Sequence, residues 1–554
     1  MDEQTFDYVV IGSGFGGSVS AMRLTEKGYD VLILERGKRF DDEDFAHSNW
    51  NIFKSSWFPI LGCFGIQQLT LFKDVMVLHG SGVGGGSLIY ANVLMPPDDE
   101  CFEAPEWHDL IDWKTTLRPH YDTARQMTGV TTNPNLTPAD HIIKELAEER
   151  GRGDTFKRTQ VAVFFGEPGA EGKTVSDPYF DGEGLARTGC IECGGCMVGC
   201  RYNAKNTLPK NYLHFAEKWG AEIRAESKVV DIKPLTDGQP DDARYEIIYE
   251  RSTGLPFFKK KRIVRTRNIV VSAGVLGTLR LLLSCRDDTG SLPLLSKQLG
   301  NKVRTNSETI PGSTSRDSSV DYSKGVAITS VFALDDDTHI EPVRYPDGSS
   351  LVRMLATPMV SGKNNFLIQI LKMTRYSIIH PIDMLRVKLF GRWAKSTTVL
   401  LIMQTKDSML RLKLGRNPLT LFRRGLVSQV EPGQKISPDV EISHGFTRAF
   451  AEKTNGIPQD SVMEALFDIP TTAHILGGCP MGHSDEDGVI DVKSEVFNYP
   501  GLYVVDGSIM PANPGINPSL TIMALAEHAM SHVPDKDGVE SVSRVKFGVE
   551  GVKV

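Results

Sequence analysis

The sequence predicts an α/β chain: a Rossmann-type nucleotide-binding domain built from separated stretches, with a second, α+β domain assembled from the pieces between them. Three observations predict it. The chain opens on a buried-strand pattern, Tyr8-Val9-Val10-Ile11, followed at once by a glycine-rich turn and a helix. A second glycine loop, His79 to Ser87, follows. Another strand and turn, Gly501 to Ser508, lies close to the C-terminus.

The first element is the most specific. Gly12-Ser13-Gly14-Phe15-Gly16-Gly17 is G-x-G-x-x-G in the strand–turn–helix context that it requires, between Tyr8–Ile11 and a helix over 18–27. Gly12 makes the tight turn, Gly14 lets the backbone reach a pyrophosphate, and Gly17 lets helix and strand pack closely. Gly16 completes the turn, and the helix N-terminus faces the phosphates. Val31 to Glu35 is the second strand; Glu35, 18 residues after Gly17, is placed to accept hydrogen bonds from ribose hydroxyls.

The turn alone does not separate FAD from NAD, but the distant segments do. A self-contained nicotinamide domain closes within about 150 residues. Here a second glycine loop with Gly80, Gly84, Gly85, Gly86 and Ser87, and later a strand and turn with Asp506 and Gly507, lie far along the chain and are expected to converge on one site. One long, buried cofactor explains that convergence, and FAD fits better than a nicotinamide that must dissociate. Asp237 to Asp242 reads as a turn inside a β-meander.

The bulk properties bound the rest. Of 554 residues, 40% are hydrophobic and 24% charged, as in a soluble globular enzyme. A net charge of −7 disfavours nucleic acid as a partner. The polar start, Met1 to Thr5, shows no signal-peptide pattern, and no uninterrupted apolar run is long enough to span a bilayer. The expected location is cytoplasmic.

Five blocks together resemble the glucose–methanol–choline (GMC) oxidoreductases, and specifically their cholesterol-oxidase branch. They are the N-terminal βαβ, Gly80–Ser87, Ile269–Leu283 with Arg286–Leu292, Ala473–Gly482 and Gly501–Glu527. The resemblance implies an FAD enzyme that takes hydride from an alcohol carbon. His474, in Ala-His-Ile-Leu-Gly-Gly, matches the family's active-site histidine, and Asn517 its second active-site residue. Asp506 and Gly507 would touch the ribityl and phosphate region, Val229 the adenine, and Gly84–Gly86 the isoalloxazine. Gly274, Pro518 and Ser519 join the cofactor-binding set. The branch's asparagine after the second glycine loop aligns with Tyr90, with Asn92 two places on, and its aromatic after Asn-Pro is Ser519. Glu341 is the nearest candidate for the branch's isomerase glutamate; His339 competes with it.

Cys190, Cys193, Cys196 and Cys200 have the spacing of a bacterial ferredoxin run, but Arg201 follows in place of proline and no second run exists. A 4Fe-4S or 3Fe-4S cluster, a zinc knot and plain buried thiols are the readings open here. A cluster would pass electrons to a carrier, making the enzyme a dehydrogenase rather than an oxidase; the acceptor is O2 or an electron carrier. Residues 376–404 combine apolar residues at helical spacing with Arg386, Lys388, Arg392 and Lys395, a pattern that suits a basic amphipathic helix at a membrane interface, a lid or domain packing.

The expected FAD-binding domain spans 1–100, 187–310 and 470–554, and the substrate-binding domain 101–186 and 311–469. The leading function is oxidation of an apolar alcohol such as a 3β-hydroxysterol. The alternatives are a dehydrogenase for another lipid, terpenoid or sugar alcohol, and a non-enzymatic iron–sulfur and flavin redox sensor.

Overall fold

The computed structural model describes residues 5–538, apart from 237, 240, 255–259, 361–365, 390, 431–435 and 437–439, together with 544–548. The polar start at 1–4, part of the 237–242 turn and the end of the C-terminal block lie outside the described residues.

Two seven-stranded sheets organise the chain. In the first, Thr5–Ile11 lies between Val31–Leu34 and Lys261–Val271, all parallel. Val31–Leu34, and the ends of the other two at Val9-Val10-Ile11 and Ile269-Val270-Val271, are runs of Val, Ile and Leu because both faces are covered there, as parallel sheets require. Glu222–Arg224 extends the sheet past Val31–Leu34. The other edge of Lys261–Val271 is shared. Its first half pairs antiparallel with Tyr245–Arg251, the centre of a meander completed by Ser227–Pro234. Its last three residues pair parallel with Leu502–Val504, so the C-terminal block arrives beside the first strand's glycine turn.

Helix Phe15–Glu26 packs between Tyr212–Lys218 and Ser519–Ser531. Arg23 pairs with Glu527 at 2.6 Å, and the Tyr212 hydroxyl donates to the same carboxylate at 2.8 Å. Residues 105–127 fall on this side of the molecule, with Trp107, Trp113 and Leu117 fully buried in the first core.

The second sheet runs Ala356–Pro358, Gly456–Ser461, Gly312–Ser315, Thr397–Gln404, Thr338–Val343, Ser330–Ala333 and Lys157–Arg158, with antiparallel neighbours. Ile143, Leu146, Phe446 and Phe450 from two helices pack on Phe332, Ile340, Leu400 and Ile402.

The stretch 376–404 is not one amphipathic helix. Helix Phe366–Ile379 ends before Pro381, helix Pro381–Lys388 follows, and Thr397–Gln404 is a buried central strand. Thr397, Thr398, Val399 and Ile402 are β-branched, which favours a pleated, packed strand over a helix.

Candidate active site

The two glycine loops meet back to back. Gly12 has φ +100°, and a Cβ there would sit 2.2 Å from Ser272 O. At Gly16 it would sit 1.9 Å from Val505 O, and at Gly17 2.1 Å from Gly12 O. These three glycines let the turn, the C-terminal strand and the helix close on one another. Gly14 differs: a Cβ there meets nothing within 4 Å. The Gly14 backbone therefore fronts open space at the N-terminus of helix Phe15–Glu26, where a pyrophosphate is favoured. Gly85 approaches from the other loop, its added Cβ lying 2.7 Å from Gly14 Cα, and Gly86 faces the Phe15 ring. Ser13 Oγ accepts from Gly84 N at 3.1 Å, tying the loops together.

Glu35 is buried at the end of the second strand. It accepts from Ser13 N at 3.1 Å, Ser13 Oγ at 2.8 Å and Gly37 N at 2.7 Å. Ser227 N donates to Glu35 O at 2.7 Å, which sets Val229 beside that strand end. On the opposite side Asp506 accepts from Thr278 Oγ1 at 2.5 Å and Ser508 N at 2.8 Å; burial raises its pKa. Gly274 caps helix Val275–Asp287 with φ +71° and open space around its missing Cβ. Ser87 Oγ donates to Gly84 O at 2.7 Å and accepts from Leu208 N at 3.1 Å. Gly80 lies against Gly85, and Gly507 against Val275, Leu476 and Ile522. Asn92, φ +73°, is fully buried and no nitrogen or oxygen pairs with its amide.

A second cluster combines residues from three remote segments. The His474 ring contacts the carboxylate of Glu308 through Nδ1, and the other oxygen of Glu308 accepts from Ala473 N at 2.8 Å. Glu308 is fully buried. Glu341, on strand Thr338–Val343, is also fully buried; burial first, then the neighbouring Glu308, pushes its pKa up to about 8. Asn517 lies close enough to offset part of that shift, yet neither Glu341 oxygen nor Asn517 Oδ1 completes a hydrogen bond. Buried polar atoms left unpaired are rare in native folds and are found at catalytic and binding sites, among other places. Pro518 precedes, and Ser519 opens, the helix Ser519–Ser531 just beyond Asn517.

His474, Asn517 and Glu341 thus share one site. His339, the competitor for Glu341, has Nε2 on Asp98 at 3.2 Å instead. Glu308 is the residue that sequence reasoning missed: no motif surrounds it.

The four clustered cysteines are free thiols lining one cleft, with room for about one water at ≈ 20 Å³. Among the described residues, no three His, Cys, Asp or Glu side chains close around a single metal ion, which disfavours the zinc knot. Burial raises the pKa of Cys190 and Cys196, and pushes Cys193 up to about 11. Lys205 joins this cleft to the second glycine loop: its buried ammonium donates to Leu88 O, Tyr90 O and Cys196 O at 3.1, 2.8 and 2.8 Å.

The GMC oxidoreductase family model matches residues 435–526, which contain His474, Asp506 and Asn517, and an NAD(P)-binding Rossmann-like domain matches residues 10–40. The chain is 46% identical to a cholesterol oxidase of Acinetobacter baumannii, over 97% of this chain and 95% of the relative. It is 44% identical to a cholesterol oxidase of Mycobacterium tuberculosis, over 96% and 91%. The crystal structure of pyridoxine 4-oxidase from Mesorbium loti superposes with a TM-score of 0.62 at 14% identity, covering 96% of this chain and 99% of that one; that likeness concerns the fold alone.

Proposed function

The chain belongs to the cholesterol-oxidase branch of the GMC oxidoreductase family, and from that premise we propose that it oxidises the CH–OH of a 3β-hydroxysterol or similar apolar alcohol to the ketone. The observation that carries this reading is the meeting of half-buried His474 with buried Glu341 and Asn517. FAD, when bound, supplies the hydride acceptor. Its holders are the glycines at 12, 14, 16, 17, 80 and 84–86, with Glu35, Ser87, Asn92, Val229, Gly274, Asp506 and Gly507, and Asn517 to Ser519 beside the ring. The open space before Gly14 fits that group.

The chain's own residues do the rest. His474 takes the hydroxyl proton, a task suited to an imidazole, whose ring nitrogen can accept and return a proton. Asn517 donates to the substrate oxygen. Glu341, held protonated at neutral pH by burial, shuttles a proton within the sterol when a double bond is moved. O2 is the electron acceptor, as the relatives' names indicate.

A cavity of about 330 Å³ lies between helix Phe366–Ile379 and Glu464–Asp468. Glu464 accepts from Thr309 Oγ1 at 2.7 Å and Thr471 N at 3.2 Å, so the cavity backs onto residues neighbouring Glu308 and His474. Leu367 and Ile378 are each 74% exposed, and Leu371 and Ile382 each 69%. This apolar face, carried with Arg375 and Arg386, is where we place peripheral membrane contact. Among the described residues no helix is long and apolar enough to cross a membrane.

The test is anaerobic mixing of the flavin-loaded protein with a 3β-hydroxysterol while following the flavin band. Rapid bleaching that slows roughly 10²–10⁴-fold in His474→Asn is expected. A flavin band that the sterol never bleaches would remove the sterol assignment; no flavin band at all would remove the proposal. A second reading rests on the ferredoxin spacing and on four thiols in one cleft: a 4Fe-4S or 3Fe-4S cluster held by Cys190, Cys193, Cys196 and Cys200.

A further inference from the structure

We infer that Glu308 is a positioning residue for His474, and that a strained turn at Asn306–Ser307 exists to aim it. The inference rests on the reading of His474 as the base. Three sets of contacts lead to it.

First, an ionised carboxylate only accepts hydrogen bonds. The contact between Glu308 and His474 Nδ1 therefore fixes the proton on Nδ1 and leaves the lone pair on Nε2. The second oxygen of Glu308 is occupied by Ala473 N, so the carboxylate cannot swing away without breaking both contacts.

Second, the backbone leading to Glu308 is unusual. Asn306 and Ser307 are consecutive non-glycine residues with φ of +54° and +41°, and both are buried. Such conformations persist only where the surroundings over-determine them, and they gather at functional sites.

Third, the surroundings do over-determine them, and they are the two catalytic segments. The Asn306 side chain donates to Ile516 O at 3.1 Å and accepts from Gly515 N at 3.0 Å, while its backbone N–H donates to Asn513 Oδ1 at 3.0 Å. These bonds pin the loop that carries Asn517. On the other flank Thr305 O accepts from Thr472 Oγ1 at 3.0 Å, and Thr472 Oγ1 accepts from His474 N at 2.9 Å. Residues 305–308 thus join the His474 segment to the Asn517 segment, and Glu308 completes the link by gripping the ring.

In the reaction proposed above, the substrate O–H bond breaks, its proton bonds to His474 Nε2, and the electron pair stays on oxygen to form the carbonyl as hydride leaves the carbon for the flavin. The imidazolium so formed lies against the Glu308 carboxylate, and the ring returns to its starting state when Nε2 gives up the proton.

Glu308→Gln keeps the shape of the side chain and removes its charge. In otherwise native protein it is expected to slow anaerobic flavin reduction by about 10²-fold or more, with sterol affinity and flavin content near those of the parent. In a His474→Asn background the same substitution is expected to cost nothing further, because residues that act as a unit are not additive. A merely structural role would lower flavin content or affinity and would cost the same in both backgrounds. Reduction within about threefold of the parent rate, or an equal loss in both backgrounds, would overturn the inference. If Glu308→Gln does not hold flavin, Glu308→Asp, which keeps the charge but falls short of the ring, goes through the same cycle with the same two outcomes. A fast His474→Asn would instead sink the reading of His474 itself, so the two failures are distinct.

Discussion

Glu341 carries a pH dependence whose sign follows from its burial. Its pKa rises from the ordinary 4.5 to about 8, so between those values the folded protein holds a proton that the unfolded chain releases. Stability therefore falls as pH rises through that window. Glu341→Gln removes the penalty. The variant is expected to be more stable than the parent at pH 8, by on the order of a few kcal/mol, with the difference vanishing below pH 4.5. Thermal unfolding at the two ends of the window checks this; equal shifts at both ends would mean that the carboxyl is not desolvated as its burial indicates. The same variant should still make ketone but leave a sterol double bond unmoved. Glu341 was readable, narrowly, from a resemblance, whereas Glu308 was not. Its run, Thr305-Asn306-Ser307-Glu308-Thr309, looks like a polar loop, and nothing in it announces two left-handed residues or a carboxylate aimed at a histidine 166 positions on.

Among the elements, the glycine turn separates two jobs that the motif alone lumps together. Gly16 is a packing glycine: its missing Cβ would overlap Val505 O. Gly14 instead fronts open space, with no protein atom within 4 Å of where its Cβ would be. Gly16→Ala is expected to destabilise the fold itself and lower the unfolding midpoint even without flavin. Gly14→Ala should fold normally when flavin-free and lose flavin affinity by tenfold or more, since about 1.4 kcal/mol suffices for that. Loss of the flavin-free fold in Gly14→Ala would contradict the open space seen there. The turn was legible because glycine spacing, strand pattern and helix pattern reinforced one another. Residues 376–404 were misread because Leu, Ile and Met satisfy helical and strand periods alike; the Thr-Thr-Val run at 397–399 and Pro381 were the signals for a strand and a break. The exposed apolar face belongs to helix Phe366–Ile379, mostly ahead of that stretch. Replacing Leu367, Leu371 and Ile378 by Gln should cut co-sedimentation with sterol-containing vesicles several-fold while leaving oxidation of detergent-dispersed sterol intact. Unchanged sedimentation would show that this face is not the docking surface.

Across the whole molecule, the site is assembled where elements of both sheets meet: His474 and Asn517 come with the C-terminal block, Glu341 with the second sheet, and Glu308 with the passage between them. The cysteine cleft is tied into this arrangement by Lys205, whose three bonds hold the cysteine loop against the second glycine loop at Leu88 and Tyr90. That tie makes the cleft either a structural staple or an electron exit, and the two differ in content. Four thiolates on four separate irons need not crowd around one centre, as the ligands of a mononuclear site must. The cleft holds about one water, so a cluster would require the 190–200 loop to open around it. On the cluster reading, protein purified without oxygen should contain iron and acid-labile sulfide and show broad absorbance beneath the flavin bands. Cys196→Ser should remove both without removing flavin. Sterol-reduced protein should then pass electrons to an artificial acceptor faster than the Ser variant does. Iron-free protein in which all four thiols react with a thiol reagent would instead make the loop a staple. O2 would then be left to take the electrons from flavin directly, and Lys205→Met would be expected to loosen flavin and lower the unfolding midpoint together, because the loop at Leu88 and Tyr90 would lose its anchor.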